Sequence, residues 1–243
     1  MKVGNAPGVA AFAVSLLFLL AGQAYAQGAG TVTHLAGILS AEKSYGQKKL
    51  LGVQSSVAPG DLLTTETDTY ARVKFVDGAE LVLRPGSQMR IEEYRYSAEA
   101  PQKGSAIISF LRGGFRAITG LIGKARPENV AVRTPTATIG VRGTHLGGQF
   151  CQDDCAGLNN AAGQPLENGL HVDVVEGAIV LSNAAGEIAV GAGQFGFVRD
   201  VASKPELIPG SRGFQVGVPP GISRNSNAGK GIGKDQDPDC VAQ

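Results

Sequence analysis

The stretch 133–144, RTPTATIGVRGT, constrains the fold of this chain more than any other part of it. Its β-branched residues favour an extended backbone, Thr134-Pro135 stiffens the entry, and Gly140 and Gly143 permit positive φ or close backbone approach. Such a pattern predicts a strand running into a tightly constrained corner. Arg142, between the two glycines, carries five N–H donors able to bond carbonyls freed at such a corner, so it is read first as a staple. A second reading makes it a contact residue that clasps a partner carboxylate. Val141 and Thr144 complete the block, which contains no nucleophile, base or metal-ligand pair.

The flanks agree with a β architecture. At 71–75, Ala71, Val73 and Phe75 alternate with Arg72 and Lys74, and Asp77-Gly78 follows as a strong hairpin signal. Leu81-Val82-Leu83 then ends at Pro85-Gly86, and a further strand runs from Met89 to about Tyr94. Segment 105–122 could carry a helical stripe, but Gly113-Gly114 inside it favours two strands, or a strand and a short turn. Beyond a polar insertion at 159–169, a strand pair at 171–175 and 178–181 is separated by Glu176-Gly177. The phrase VKFVDGAELVL at 73–83 is echoed by VDVVEGAIVL at 172–181, which hints at stacked repeating units, although acidic-Gly turns are common between any two strands.

The beginning of the chain reads as a leader rather than as fold. Lys2 precedes an apolar run at 9–21 and the small-residue triplet Ala24-Tyr25-Ala26, the layout of a secretory signal peptide cleaved after Ala26. The run falls short of the roughly 20 residues a spanning helix needs, so no retained membrane span is expected. The 22 Lys and Arg and 21 Asp and Glu become equal once Lys2 leaves with the leader. A balanced chain lacks the basic excess on which sequence-independent phosphate binding rests, which argues against a nucleic-acid partner.

Export also bears on the cysteines, since disulfides form outside the cytoplasm. Cys151 and Cys155 can close a small loop, while Cys240 has no obvious partner. The competing arrangements are free thiols and a zinc site from His145, Cys151, Cys155 and His171, whose Cys-x-x-x-Cys spacing fits structural zinc. Oxidising conditions and the exposed look of Asp153-Asp154 favour the disulfide, and no metal or other cofactor is expected. Neither a Gly-x-Ser-x-Gly elbow nor a His-Glu-x-x-His helix is present, and the adjacent carboxylates Glu92 and Glu93 would point to opposite faces of a strand. A non-enzymatic protein is the expectation. A ligand- or carbohydrate-binding module is the alternative, weakened by an aromatic content of 6% with no Trp to line a sugar site.

Taken in order, Asp61 with PGDLLTTETDTYARVKF, Asp77-Gly78, Pro85 and Ser87, TPTATIGVRGT, VVEGAIVL and the GAGQ at 191–194 resemble the FecR domain family over about 59–197. The resemblance implies a β-rich extracytoplasmic domain that binds other proteins and has no catalytic activity. In transmembrane members of that family, a cytoplasmic anti-sigma segment precedes one membrane helix, and the periplasmic domain senses a loaded outer-membrane transporter. Only about eight residues precede the apolar run here, so a secreted or periplasmic relative without the sigma-binding segment is expected.

The full expectation is an all-β protein with short strands stacked as a β-solenoid or roll. It comprises a signal peptide at 1–26, a strand and turn region at 27–58, the FecR-like domain at 59–200 and a disordered Pro/Gly-rich tail at 201–243. Its expected role is protein interaction or signal sensing in the periplasm or outside the cell, with an envelope or extracellular protein as partner.

Overall fold

The computed structural model describes residues 1, 4 and 28–223. Most of the leader at 1–26 and Cys240 therefore lie outside the described residues. Strand makes up 51% and helix 9%, so the protein is mostly β. The N-terminal third forms β1 (Gly30–Ala36), β2 (Leu39–Glu42), β3 (Lys48–Leu51), β4 (Ser56–Val57), β5 (Leu62–Thr65), β6 (Tyr70–Phe75) and β7 (Glu80–Leu83). Then come β8 (Gln88–Arg95), the long β9 (Ser105–Ile118), a short helix α1 (Leu121–Ala125) and β10 (Val130–Arg133). The remainder holds two more long strands, β11 (Thr138–Cys151) and β12 (Gly169–Asn183), then β13 (Gly186–Gly191), β14 (Phe195–Val198), β15 (Glu206–Ile208) and the turn-length helix α2 (Pro220–Ser223).

All these strands belong to one hydrogen-bonded sheet, antiparallel except where β10 lies parallel to β9. The three long strands give it two arms, because each changes partners partway along. Residues 105–112 of β9 pair with β8, whereas 113–118 pair with β11. The 138–142 half of β11 faces 178–182 of β12, and its 145–151 half faces 169–176. One arm therefore runs β15-β14-β12-β11-β9-β7-β6-β1-β4, and the other β13-β12-β11-β10-β9-β8-β5-β2-β3.

The arms face each other across a single apolar core. Phe75 of β6 stacks on Tyr94 of β8 with centroids 4.5 Å apart, and Phe110 meets Phe115 edge-on at 4.6 Å across the bend in β9. Leu63, Met89 and Ile139 from one arm and Leu83, Leu146 and Val172 from the other join the same core. Each such side chain contributes about 1.5–3 kcal/mol of burial, so opposing period-2 stripes suffice to hold the arms together without Trp.

Several local expectations hold. Asp77-Gly78 turns β6 into β7 with Ala71 opposite Leu83, and segment 105–122 forms no long helix, although its strand runs unbroken through Gly113-Gly114 to 118 and a short helix, not a second strand, follows. Asp77 itself is buried: its carboxylate accepts the Tyr94 hydroxyl and the amides of Ala79 and Ile122, tying the hairpin to β8 and α1.

Three expectations need correction. A solenoid is not shown: the pairings form one large mixed sheet, and the echo that suggested repetition has two different structures. Asp77-Gly78 is a hairpin turn, whereas Glu176-Gly177 lies inside continuous β12, where both neighbouring strands bend together. Thr134 to Ala137 do not extend a strand; they form the loop of the β10–β11 hairpin, with the Thr134 hydroxyl accepting from the Ala137 amide at 3.1 Å. Finally, 201–223 are ordered rather than tail-like, since β15 pairs with β14 and Val216 and Ile222 are buried. The remainder of the expected tail, 224–243, lies outside the described residues.

Candidate functional site

The block 138–144 carries β11 from one arm to the other. At that bend Gly143 has φ of 61° and meets Gly177 of β12, whose φ is 79°. A Cβ on Gly177 would come within 3.1 Å of the Gly143 carbonyl carbon, so Gly177 has no room for a side chain, whereas Gly143 is held to glycine by its left-handed backbone alone. Gly140, by contrast, has neither positive φ nor a crowded Cβ position; its nearest neighbour would be Val180 O at 3.8 Å.

The staple at this corner is Thr144. Its buried hydroxyl accepts the Arg142 amide at 3.1 Å and donates to Ala178 O at 2.7 Å. Thr119 holds the next link, accepting the Thr144 amide and donating to Thr144 O, both at 2.9 Å. The bend in β9 is held alike: the Ser87 hydroxyl donates to Gly114 O at 2.8 Å and accepts the Gly114 amide at 3.0 Å. A buried hydroxyl can satisfy one donor and one acceptor released where a ladder breaks, which a guanidinium cannot.

Arg142 is therefore not the staple that its donors suggested. Its side chain is exposed and makes no hydrogen bond or ion pair with the described residues. At the same bend, Glu176, opposite His145 on β12, is exposed and Val175 before it is 44% exposed; Ile118, opposite His145 on β9, is 45% exposed. The corner thus offers a cation, a carboxylate and two aliphatic side chains on a backbone held by hydroxyls beneath it.

A second feature lies on the outer face of the same arm. Cross-strand register places Asp173, Gly147, Arg116, Val82, Arg72 and His34 in one row across six strands. Arg116 donates to Asp173 Oδ2 at 3.0 Å and to His145 Nε2, and Arg72 pairs with Glu80. Over this row runs the segment after β15. The Val216 amide donates to Asp173 at 3.0 Å, its carbonyl accepts from Arg116 at 2.7 Å, and Ile222 O accepts from Arg72 at 3.1 Å.

Gly147 supplies the notch for this strap: a Cβ there would stand 2.6 Å from that of Val216. Phe214 lies under the Arg84 guanidinium at 5.5 Å, and Gly213 packs on Phe195. Sequence reasoning missed the strap. A signal was present, however, in Phe214, Val216 and Val218, which alternate with the exposed Gln215 and Gly217.

Burial lowers all three imidazole pKa values below their usual range. The Arg116 guanidinium adds to this at His145, and that of Arg72 at His34. His171 is lowered by burial despite its hydrogen bond to Glu167 O.

The four residues weighed for zinc are not brought together. Cys151 and Cys155 are joined in a disulfide, His145 is engaged by Arg116, and His171 lies against Phe197. Among the described residues no group of three or more potential ligands could hold a metal ion. A polar cleft of about 460 Å³ beside the disulfide loop, lined by Arg84, Arg112, Gln149 and Asp154, has no aromatic in its wall and does not favour carbohydrate.

A mostly β frame that holds an exposed corner from beneath defines the class of domain to which the chain is compared. Residues 61–180 match the family model described as FecR protein, and the chain carries a FecR domain over that span. Two crystal structures of a candidate anti-sigma factor from Parabacteroides distasonis ATCC 8503, at 1.65 and 2.50 Å, are similar at 15% identity, with TM-scores of 0.44 and 0.45. Each match covers 60% of this chain and 58% of the other, so the chain spans under two thirds of their length. No curated protein matches. Among the described residues no helix is long and apolar enough to cross a membrane.

Proposed function

We propose that this chain is an exported FecR-domain protein acting in the periplasm or outside the cell as a non-catalytic protein-interaction or signal-sensing module. The observation that carries the reading is the corner: the Arg142 side chain has no partner among the described residues, its amide is held by Thr144, which Thr119 holds in turn, and exposed Val175 and Ile118 lie on the strands paired at the same bend. A positioned arginine flanked by aliphatic surface is the composition of a protein-binding anchor. Its guanidinium suits a carboxylate on an envelope or extracellular partner. Balanced charge supports a protein in that role over nucleic acid.

Affinity capture from envelope extracts with wild type and Arg142→Ala tests this. The variant is expected to keep its circular dichroism and melting profile while losing one specific partner; unchanged capture removes the corner from the account. Cell fractionation with N-terminal sequencing tests the export reading, with the mature chain expected to begin at Gln27. Recovery in the cytoplasm with the leader intact would refute it.

A further inference from the structure

We propose that the outer row from Asp173 through Gly147 and Arg116 to Arg72 is a docking groove for an extended peptide of a partner protein, and that residues 213–222 are its resident occupant. The expected ligand carries an aromatic residue, then a β-branched residue two positions on, then a further aliphatic, as Phe214, Val216 and Val218 do.

Three features of the groove support exchange. First, the hydrogen bonds described between the row and the strap go to strap backbone groups: the Val216 amide and carbonyl and the Ile222 carbonyl. Any extended chain presents an amide and a carbonyl as Val216 does, while Ile222 O is offered by the turn of α2; the groove thus reads side-chain identity only through the notch at Gly147 and the Arg84 face. Second, the strap adds no strand to the sheet. It follows β15 at one edge, so it can leave without breaking a strand pairing. Third, the buried Nε atoms of Arg72 and Arg84 have no hydrogen-bond partner among the described residues. Buried donors are normally satisfied, so the resident segment leaves part of the groove's capacity unused.

The charges constrain the ligand. Asp173, Arg116, Arg72 and Glu80 are already paired within the row, so an added charged side chain would have no counter-ion. A neutral segment that brings carbonyls to the two arginines and one amide to Asp173 fits, as the strap does. This proposal rests on the protein-binding reading of the domain. The two fail separately: capture through Arg142 can survive without groove exchange, and peptide exchange can occur without a corner partner.

The test uses the full chain and a fluorescent peptide of sequence GFQVGVPPGI. Val216→Asp disfavours the resident strap, and peptide affinity is expected to rise by about tenfold or more, because apparent affinity scales with the fraction of open grooves. Adding Gly147→Ala fills the notch and is expected to abolish that binding. Equal affinity for wild type and Val216→Asp, or binding indifferent to Gly147→Ala, overturns the proposal. Dimerisation of wild type that Gly147→Ala removes also overturns it, in favour of strap exchange between copies. Should the variants not fold, hydrogen exchange of the wild-type chain decides. The Val216 amide is expected to exchange by local opening well before those of Gly147 and Arg116; exchange of Val216 only with global unfolding would make the strap a fixed part of the frame.

Discussion

Thr144 and Arg142, two residues apart in the same block, should respond to substitution in opposite ways. Thr144→Val keeps the volume and β-branching of the side chain but removes its hydroxyl. Two hydrogen bonds are lost, from the Arg142 amide at 3.1 Å and to Ala178 O at 2.7 Å, at a residue 2% exposed. A lost bond that leaves a buried partner unsatisfied costs about 1–3 kcal/mol, so the pair amounts to about 3 kcal/mol. For a protein of this size that corresponds to a fall of roughly 6–12 °C in Tm. Arg142→Ala removes an exposed side chain with no partner among the described residues and should change stability by no more than about 0.5 kcal/mol. Urea unfolding followed by far-ultraviolet circular dichroism measures both. A loss above about 1.5 kcal/mol for Arg142→Ala, or below about 0.5 kcal/mol for Thr144→Val, would refute the assignment of the staple to the hydroxyl.

Other perturbations bear on the strap and the loops. Asp173→Ala leaves Arg116, 11% exposed, without its carboxylate, and should cost about 3–5 kcal/mol in urea unfolding; adding Arg116→Met should restore much of it. Acidification should destabilise the fold from about pH 6.5 downward, because His34, His145 and His171 are held below the ordinary value of 6.5 and the unfolded chain takes up protons first. Melting temperatures measured between pH 8 and 5 should fall, and a rise would contradict that direction. Reducing the Cys151–Cys155 disulfide, with sequence separation 4, opens only a short loop and should lower stability by about 2 kcal/mol. A loss of the cooperative transition would show the loop to be integral to the arms.

What was legible in the sequence was local. The alternation at 71–75 and the Asp77-Gly78 turn follow from period-2 burial and a tight hairpin, both encoded within a few residues. Arg72 shows where such reasoning stops: its strand position is right, yet it is 7% exposed because a segment 150 residues away in sequence covers it. Glu176-Gly177 has the composition of a turn, and only the simultaneous bend of β11 makes it a bend within one strand. Arg142 drew attention through its five donors, whereas a threonine hydroxyl, unremarkable in a Thr-rich strand, matched the single donor and acceptor released at the break. The strap was hidden by its glycines and prolines, which suggest disorder when they are in fact what lets a chain lie flat across a sheet.

The central claim is that the corner around Arg142 is where this FecR-domain protein meets another protein. Photo-crosslinking in living cells tests it most directly, with a photoreactive residue placed in turn at positions 142, 175 and 207. Leu207 serves as the comparison because it is 49% exposed on β15, at the far edge of the arm. The account predicts one discrete protein adduct from positions 142 and 175 and none from 207. No adduct from the corner, or the same adducts from all three positions, would contradict it.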